Sequence, residues 1–195
     1  MRQQINQASR NRLAVTVGSN LKADHRIVRR LESVLRVMAA RISAGERLPA
    51  EDIEEAIRLM LEFVDSYHHV KEEAGLFPVI QGASREQQKT VYAFLVEHEF
   101  GRRAARRIEQ EYASWVKGEE AAEPLARFIL TYADFIKVHT SKEDKWFEVV
   151  DGGLLSGTQQ KEILGRFAQV GTLGPTSKEI FGRRVKELAR KYPKK

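Results

Sequence analysis

His68 and Glu72 stand one helical turn apart, and so do His139 and Glu143. In an α-helix such pairs share one face. On the face of His68, at spacings of three and four, lie Ile57, Leu61, Val64, Leu76 and Val79. Leu125, Ile129, Tyr132, Ile136 and Val150 share the face of His139. Each His-x-x-x-Glu pair therefore interrupts an apolar stripe of the kind that packs into a core. His25 sits with Leu21, Val28 and Leu35, and His98 with Val91, Leu95, Ala105 and Ile108, in the same manner.

Two carboxylates in one apolar interior cannot both remain charged without compensation. No Lys or Arg lies on these stripes to supply it. Metal ions solve the problem directly, and neutral imidazole with carboxylate suits iron, manganese or zinc. The six candidate ligands are His25, His68, Glu72, His98, His139 and Glu143. The pattern repeats internally: His25 and His68 are 43 residues apart, His98 and His139 are 41 apart, and each half is a helix bearing one His followed by a helix bearing His-x-x-x-Glu. His69 falls about 100° round from His68, beside Arg58, Glu62, Asp65 and Glu73. That face is polar, so His69 is expected to point away from the interior, with a fifth nitrogen ligand left as the alternative. Neither Glu97 nor Glu99 shares the face of His98, and both are expected in solvent. Tyr132 is expected to be a core tyrosine, with a hydrogen bond to one of the candidate ligands or a radical role as the alternative. Trp146 and Phe147 are assigned to packing.

Four long helical segments must position these side chains. The first runs from about Leu21 to Ile42, with Ser19 or Asn20 as N-cap. The second runs from about Ala50 to Ile80, and Pro78 is placed to kink or end its last turn. The third follows Ser84 to about Val116, with Gln87 as a capping-box partner and Gly118 as its stop. The fourth runs from about Ala121 to Val150 and ends at Gly152-Gly153. No segment alternates with period two. Long helices with short connections give an all-α, up-down-up-down four-helix bundle. The tail from Ser156 predicts two shorter helices split by Gly171, Gly174 and Pro175. The expected organisation is an N-terminal segment over 1–19, the bundle over 20–152 and a short helical C-terminal extension over 153–195.

The 195 residues are 42% hydrophobic and 31% charged, enough for a core and a solvated surface. With no cysteine, thiolate sites, disulfides and iron–sulfur clusters are excluded. No run is long enough for a signal peptide or membrane span, so a cytoplasmic protein without membrane contact is expected. The net charge of +6 permits nucleic-acid binding, but Lys and Arg are interleaved with Glu. The densest basic run, Arg102, Arg103, Arg106 and Arg107, is expected to be a solvated helix face rather than a nucleic-acid patch.

The segment His68-His69-Val70-Lys71-Glu72-Glu73-Ala74-Gly75-Leu76-Phe77-Pro78 resembles the hemerythrin-like, or HHE cation-binding, proteins. So do Asp24-His25, Glu97-His98-Glu99-Phe100-Gly101-Arg102 and His139-Thr140-Ser141-Lys142-Glu143. The resemblance covers about residues 20–150. It implies two iron ions joined by an oxo or hydroxo bridge, with Glu72 and Glu143 bridging and the four histidines as terminal ligands. It further implies binding or sensing of a small diatomic ligand, dioxygen or nitric oxide. The alternatives are a redox enzyme consuming peroxide and an iron storage or donation protein. Oxygen carriers of this family use five histidines, three of them saturating one iron. Four inward histidines would leave one open position on each metal, which weakens the carrier reading. The sequence points to no protein partner.

Overall fold

The computed structural model describes residues 15–118, 122–170 and 178–194. Every regular element among them is helical. The α-helices are α1 (Val17–Ser43), α2 (Ala50–Arg58), α3 (Phe77–Ile80), α4 (Arg85–Lys117), α5 (Ala122–Val149), which a π-wound turn over Val150–Leu154 continues, α6 (Gly157–Val170) and α7 (Lys178–Lys191). Between α2 and α3 the chain stays helical but is wound as π-helix over Leu59–His69 and Lys71–Leu76, so residues 50–80 form one continuous second rod. Among the described residues no helix is long and apolar enough to cross a membrane.

α1 begins a turn earlier than the sequence predicts. Thr16 and Ser19 form a reciprocal capping box, Thr16 Oγ1 accepting the Ser19 N–H at 3.1 Å and Ser19 Oγ accepting the Thr16 N–H at 2.8 Å. Asp151, beyond α5, adds to this cap by accepting from Thr16 Oγ1 and from the Gly18 N–H. A carboxylate there also faces the positive end of the helix dipole. At α4 the Ser84 side chain accepts the Gln87 N–H as expected. The Gln87 side chain, however, accepts from Trp146 Nε1 at 2.8 Å. Gly118 ends α4 at φ 74°, a left-handed conformation open to glycine. Gly171, Gly174 and Pro175 lie outside the described residues, as do residues 1–14 of the N-terminal segment.

The second rod explains its own winding. Its buried positions come in adjacent pairs: Leu59 and Met60, Phe63 and Val64, His68 and His69, Lys71 and Glu72, Gly75 and Leu76. From Leu59 to His69 these pairs recur at steps of four and five residues, a slower repeat than the 3.6 of an α-helix. The wider i→i+5 ring of a π-helix advances less per residue and keeps both members inside. Pro78, which has no N–H to donate, stands where the winding returns to α.

Two apolar clusters fill the interior. One gathers Val28, Leu31, Met60, Phe63, Val64, Ile108, Ile129 and Ile136 with their neighbours. The other gathers Leu21, Leu76, Phe77, Phe94, Trp146 and Phe147. The tail joins both. Phe181, Val185, Leu188 and Tyr192 of the α7 region pack into the first, and Ile163 and Phe167 of α6 into the second. Along every rod the inward histidine falls between the two clusters: His25 between Leu21 and Val28, His68 between Val64 and Leu76, His98 between Phe94 and Ala105, His139 between Ile136 and Phe147. A polar band thus crosses the middle of an apolar interior.

Candidate metal centre

All six expected residues are in that band and buried to within 1% exposure. They do not form a single cluster. His25, His68, Glu72 and Glu143 bring one donor atom each within 4.8 Å of one another. His98 and His139 do the same with His69.

His69 corrects the sequence reading, which placed it on a polar face. It is 2% exposed, and its ring stacks on that of His98 with centroids 3.9 Å apart. The reason is the π-winding of Leu59–His69, which turns less per residue than an α-helix, so that over the whole stretch the inward face drifts round to take in His69 beside His68. A cue was present in the paired apolar residues upstream, which a wheel drawn at about 100° per residue does not resolve.

The two glutamates join the groups. Glu72 has Oε1 3.6 Å from His68 Nε2 and Oε2 3.4 Å from His98 Nε2. Glu143 Oε2 lies 3.3 Å from His25 Nε2 and 3.1 Å from His139 Nε2, while its Oε1 lies 3.3 Å from His98 Nε2. His25 Nε2 and His68 Nε2 face each other at 3.0 Å.

Behind each imidazole stands a carboxylate near Nδ1. Asp144 is 2.7 Å from His25, Glu73 2.7 Å from His98 and Glu97 2.8 Å from His139. Asp24 is 3.7 Å from His68 and Asp65 3.6 Å from His69, longer contacts of the same sense. On His25, His98 and His139 the hydrogen-bonded carboxylate keeps the proton on Nδ1, so the Nε2 lone pair faces the interior. Glu97, expected in solvent, is therefore part of the arrangement. It leaves its own helix face and reaches His139 on the neighbouring rod.

Each carboxylate is in turn held by a cation: Asp144 by Arg29, Asp65 and Glu73 by Arg102, Glu97 by Lys142, and Asp24 by Lys71 and Lys178. Arg102 is thus not a solvated member of a basic face. Lys71 is 2% exposed, so a buried lysine does accompany the inward stripes, directed to Asp24 rather than to the glutamates.

The electrostatics follow from burial. Desolvation lowers all five imidazoles, His68 to about 3, His98 to about 4 and His69 well below its ordinary value. They are neutral and free to donate lone pairs. Burial pushes Glu72 and Glu143 well above the usual carboxylate range, with the charge of Glu72 adding to the effect on Glu143. Among the described residues, both oxygens of Glu72, Glu143 Oε2, His139 Nε2 and both ring nitrogens of His69 have no hydrogen-bond partner, and the same holds of His68 Nδ1 and Asp24 Oδ1 just behind them. Unpaired buried polar atoms are rare, and here they converge on one place. With the proton on Nδ1 and both glutamates ionised, the interior is lined by acceptors alone, and the raised proton affinity of Glu72 and Glu143 reflects the same need for positive charge. Lone pairs 3.0–3.6 Å apart repel unless cations lie among them. Neutral nitrogen and carboxylate oxygen donors, with no sulfur, fit a first-row transition ion.

Helical rods enclosing a buried His–Glu cluster define a cation-binding helical protein. The chain belongs to the hemerythrin HHE cation-binding domain family, which matches residues 16–150. Two mycobacterial proteins described as uncharacterized, Rv1995 of Mycobacterium tuberculosis and Mb2018 of Mycobacterium bovis, are each 24% identical to it over 131 residues. The match takes in 67% of this chain and 51% of each relative, so the chain spans about half the length of the curated relatives it matches. No solved structure is significantly similar to it.

Proposed function

We propose that the chain is a non-haem di-iron protein that binds or senses a small diatomic ligand, dioxygen or nitric oxide. The observation that carries this reading is the acceptor-only interior just described. His69, His98 and His139 would hold one ion, His25 and His68 the other, and Glu72 and Glu143 would lie between them. The family resemblance favours iron over manganese or zinc, with an oxo or hydroxo bridge completing the pair. The rods would run up-down-up-down, with residues 153–195 packed on them as an extension.

Bound there, two ions would supply a redox-active centre. The donor count is unequal. Three imidazoles, two carboxylates and a bridge would supply six donors on one side, whereas two imidazoles in place of three would supply five on the other. With His69 as the fifth nitrogen ligand, the open position would fall on one ion rather than on both, which favours ligand binding over turnover at two exchangeable sites. The chain's own part is to hold this asymmetry. Asp144 and Asp24 orient the two-histidine side. Glu73, Asp65 and Glu97 orient the three-histidine side. The apolar clusters above and below keep bulk water out.

Metal analysis and visible spectroscopy of the purified protein test this reading. About two irons per chain are expected, with a spectrum that changes saturably on anaerobic addition of nitric oxide. Rapid peroxide consumption lost in Glu72→Ala would move the assignment to a redox enzyme. Ready transfer of iron to a weak chelator would move it to iron donation. Absence of metal after growth in iron-replete medium and after anaerobic reconstitution would refute it.

A further inference from the structure

His68 differs from the other inward histidines in what stands behind it. The carboxylates serving His25, His69, His98 and His139 keep 22–26% of their side chains exposed, and water shares in solvating them. Asp24, serving His68, is fully buried. A buried carboxylate without water needs cations with good geometry. It has two. Lys71 engages Oδ2, the oxygen that faces His68 Nδ1, and Lys178 engages Oδ1. Lys71 also donates to Asn20 Oδ1 at 2.6 Å.

Lys178 opens α7 and lies outside the family's span. α6, also outside it, covers the same place from another side. Phe167 sits over Lys71, with Nζ 5.0 Å from its ring centre. The ring also packs where Gly75 has no side chain; a Cβ there would come within 2.6 Å of Phe167 Cε1. Two separate contacts from the tail thus meet on the Asp24–Lys71 pair.

We propose that the C-terminal helices form part of the metal centre: Lys178, acting with Lys71, fixes Asp24 behind His68 and so positions His68 Nε2 for its ion. The inference rests on the two-metal reading above. Among the described residues, Asp24 Oδ1 has no partner other than Lys178. Without that ammonium the carboxylate turns both oxygens to Lys71, and His68 Nδ1 loses the anionic oxygen that it faces at 3.7 Å. Lys178 is a positioning residue, and the ion it serves is the one with the open position.

A stepwise cobalt(II) titration of the full-length protein tests this, because cobalt absorption in the visible reports each equivalent separately. The wild type takes up two equivalents. In Lys178→Met one equivalent is expected at wild-type affinity, and the other about 10- to 100-fold weaker with altered absorption. Lys178→Arg should restore both. Asp24→Asn, which keeps the side-chain shape, should reproduce the loss of the single equivalent if Lys178→Met does not fold. Failure of the wild type to take up two equivalents would defeat the two-metal reading. Two normal equivalents in the wild type, with either no change or an equal weakening of both in Lys178→Met, would overturn this inference and leave the tail a packing element.

Discussion

Replacing His69 with leucine should move the stability of the metal-free and metal-loaded protein in opposite directions. In the metal-free protein the imidazole is buried with both ring nitrogens unpaired. Leaving a buried polar group unpaired costs about 1–3 kcal/mol. Leucine removes that cost but gives up the stacking on His98 and fits the space imperfectly, a loss of under about 1.5 kcal/mol. The net expectation is a gain of roughly 1 kcal/mol, which for a chain of this size raises Tm by about 2–4 °C. The loaded protein should behave otherwise. Losing one of three imidazoles should weaken that ion by at least about 100-fold, or roughly 2.7 kcal/mol of linked stability. Thermal melts of chelator-treated and metal-reconstituted protein, with metal content measured on the same samples, read both effects. A lower Tm without metal, together with unchanged metal content and spectrum, would show that His69 is a core residue and that the three-histidine group is not a site.

Three further outcomes follow from other contacts. Arg102 spans Asp65 and Glu73, so Arg102→Met should weaken the ion of the three-histidine group by about 10- to 100-fold. Arg102→Lys should not rescue it, because one ammonium cannot fork to both acids; metal titration decides. Asp151→Ala removes the acceptor for Thr16 and Gly18 at the start of α1 and should cost about 1 kcal/mol, seen as a Tm lower by about 2–4 °C. Burial alone would raise Glu55, but hydrogen bonds from Arg184 and Arg58 hold it below its ordinary 4.5. Its contribution is therefore present above that value and is lost as pH falls through the lower folded one, so Glu55→Gln should flatten the acid limb of a Tm-against-pH curve and leave the neutral region level.

What the sequence made legible follows the α-helical repeat. Where the rods are regular, His25, His98, His139 and Glu143 could be placed from their apolar neighbours alone, and all are buried together. His69 escaped because the repeat changes under it. Glu97 and Arg102 escaped for a different reason. A helical wheel gives the direction in which a side chain leaves its own axis, and both curve sideways to a neighbouring rod, to His139 in one case and to Asp65 and Glu73 in the other. Asp24 and Lys71 were hidden because each makes sense inside only in the presence of the other. The cap at Thr16 precedes the first apolar residue the periodicity used, yet Val17 is fully buried. The residues nearest the centre were thus readable one helix at a time, and those that orient them depend on which helices come to lie side by side.

The π-wound stretch has a bearing on motion. Its wide rings bond less favourably than α turns, and it carries His68, His69 and Glu72. Segments with weak local ladders open first in native-state fluctuations. In the metal-free chain, amide protons between residues 59 and 76 should therefore trade with solvent ahead of those in the regular α1 and α5. Ions held by three side chains of that stretch would draw it to its neighbours, and exchange there should slow most on loading. The occupancy of the centre is then written into the breathing of a single rod, where a binding partner or a protease could sense it without touching the metal.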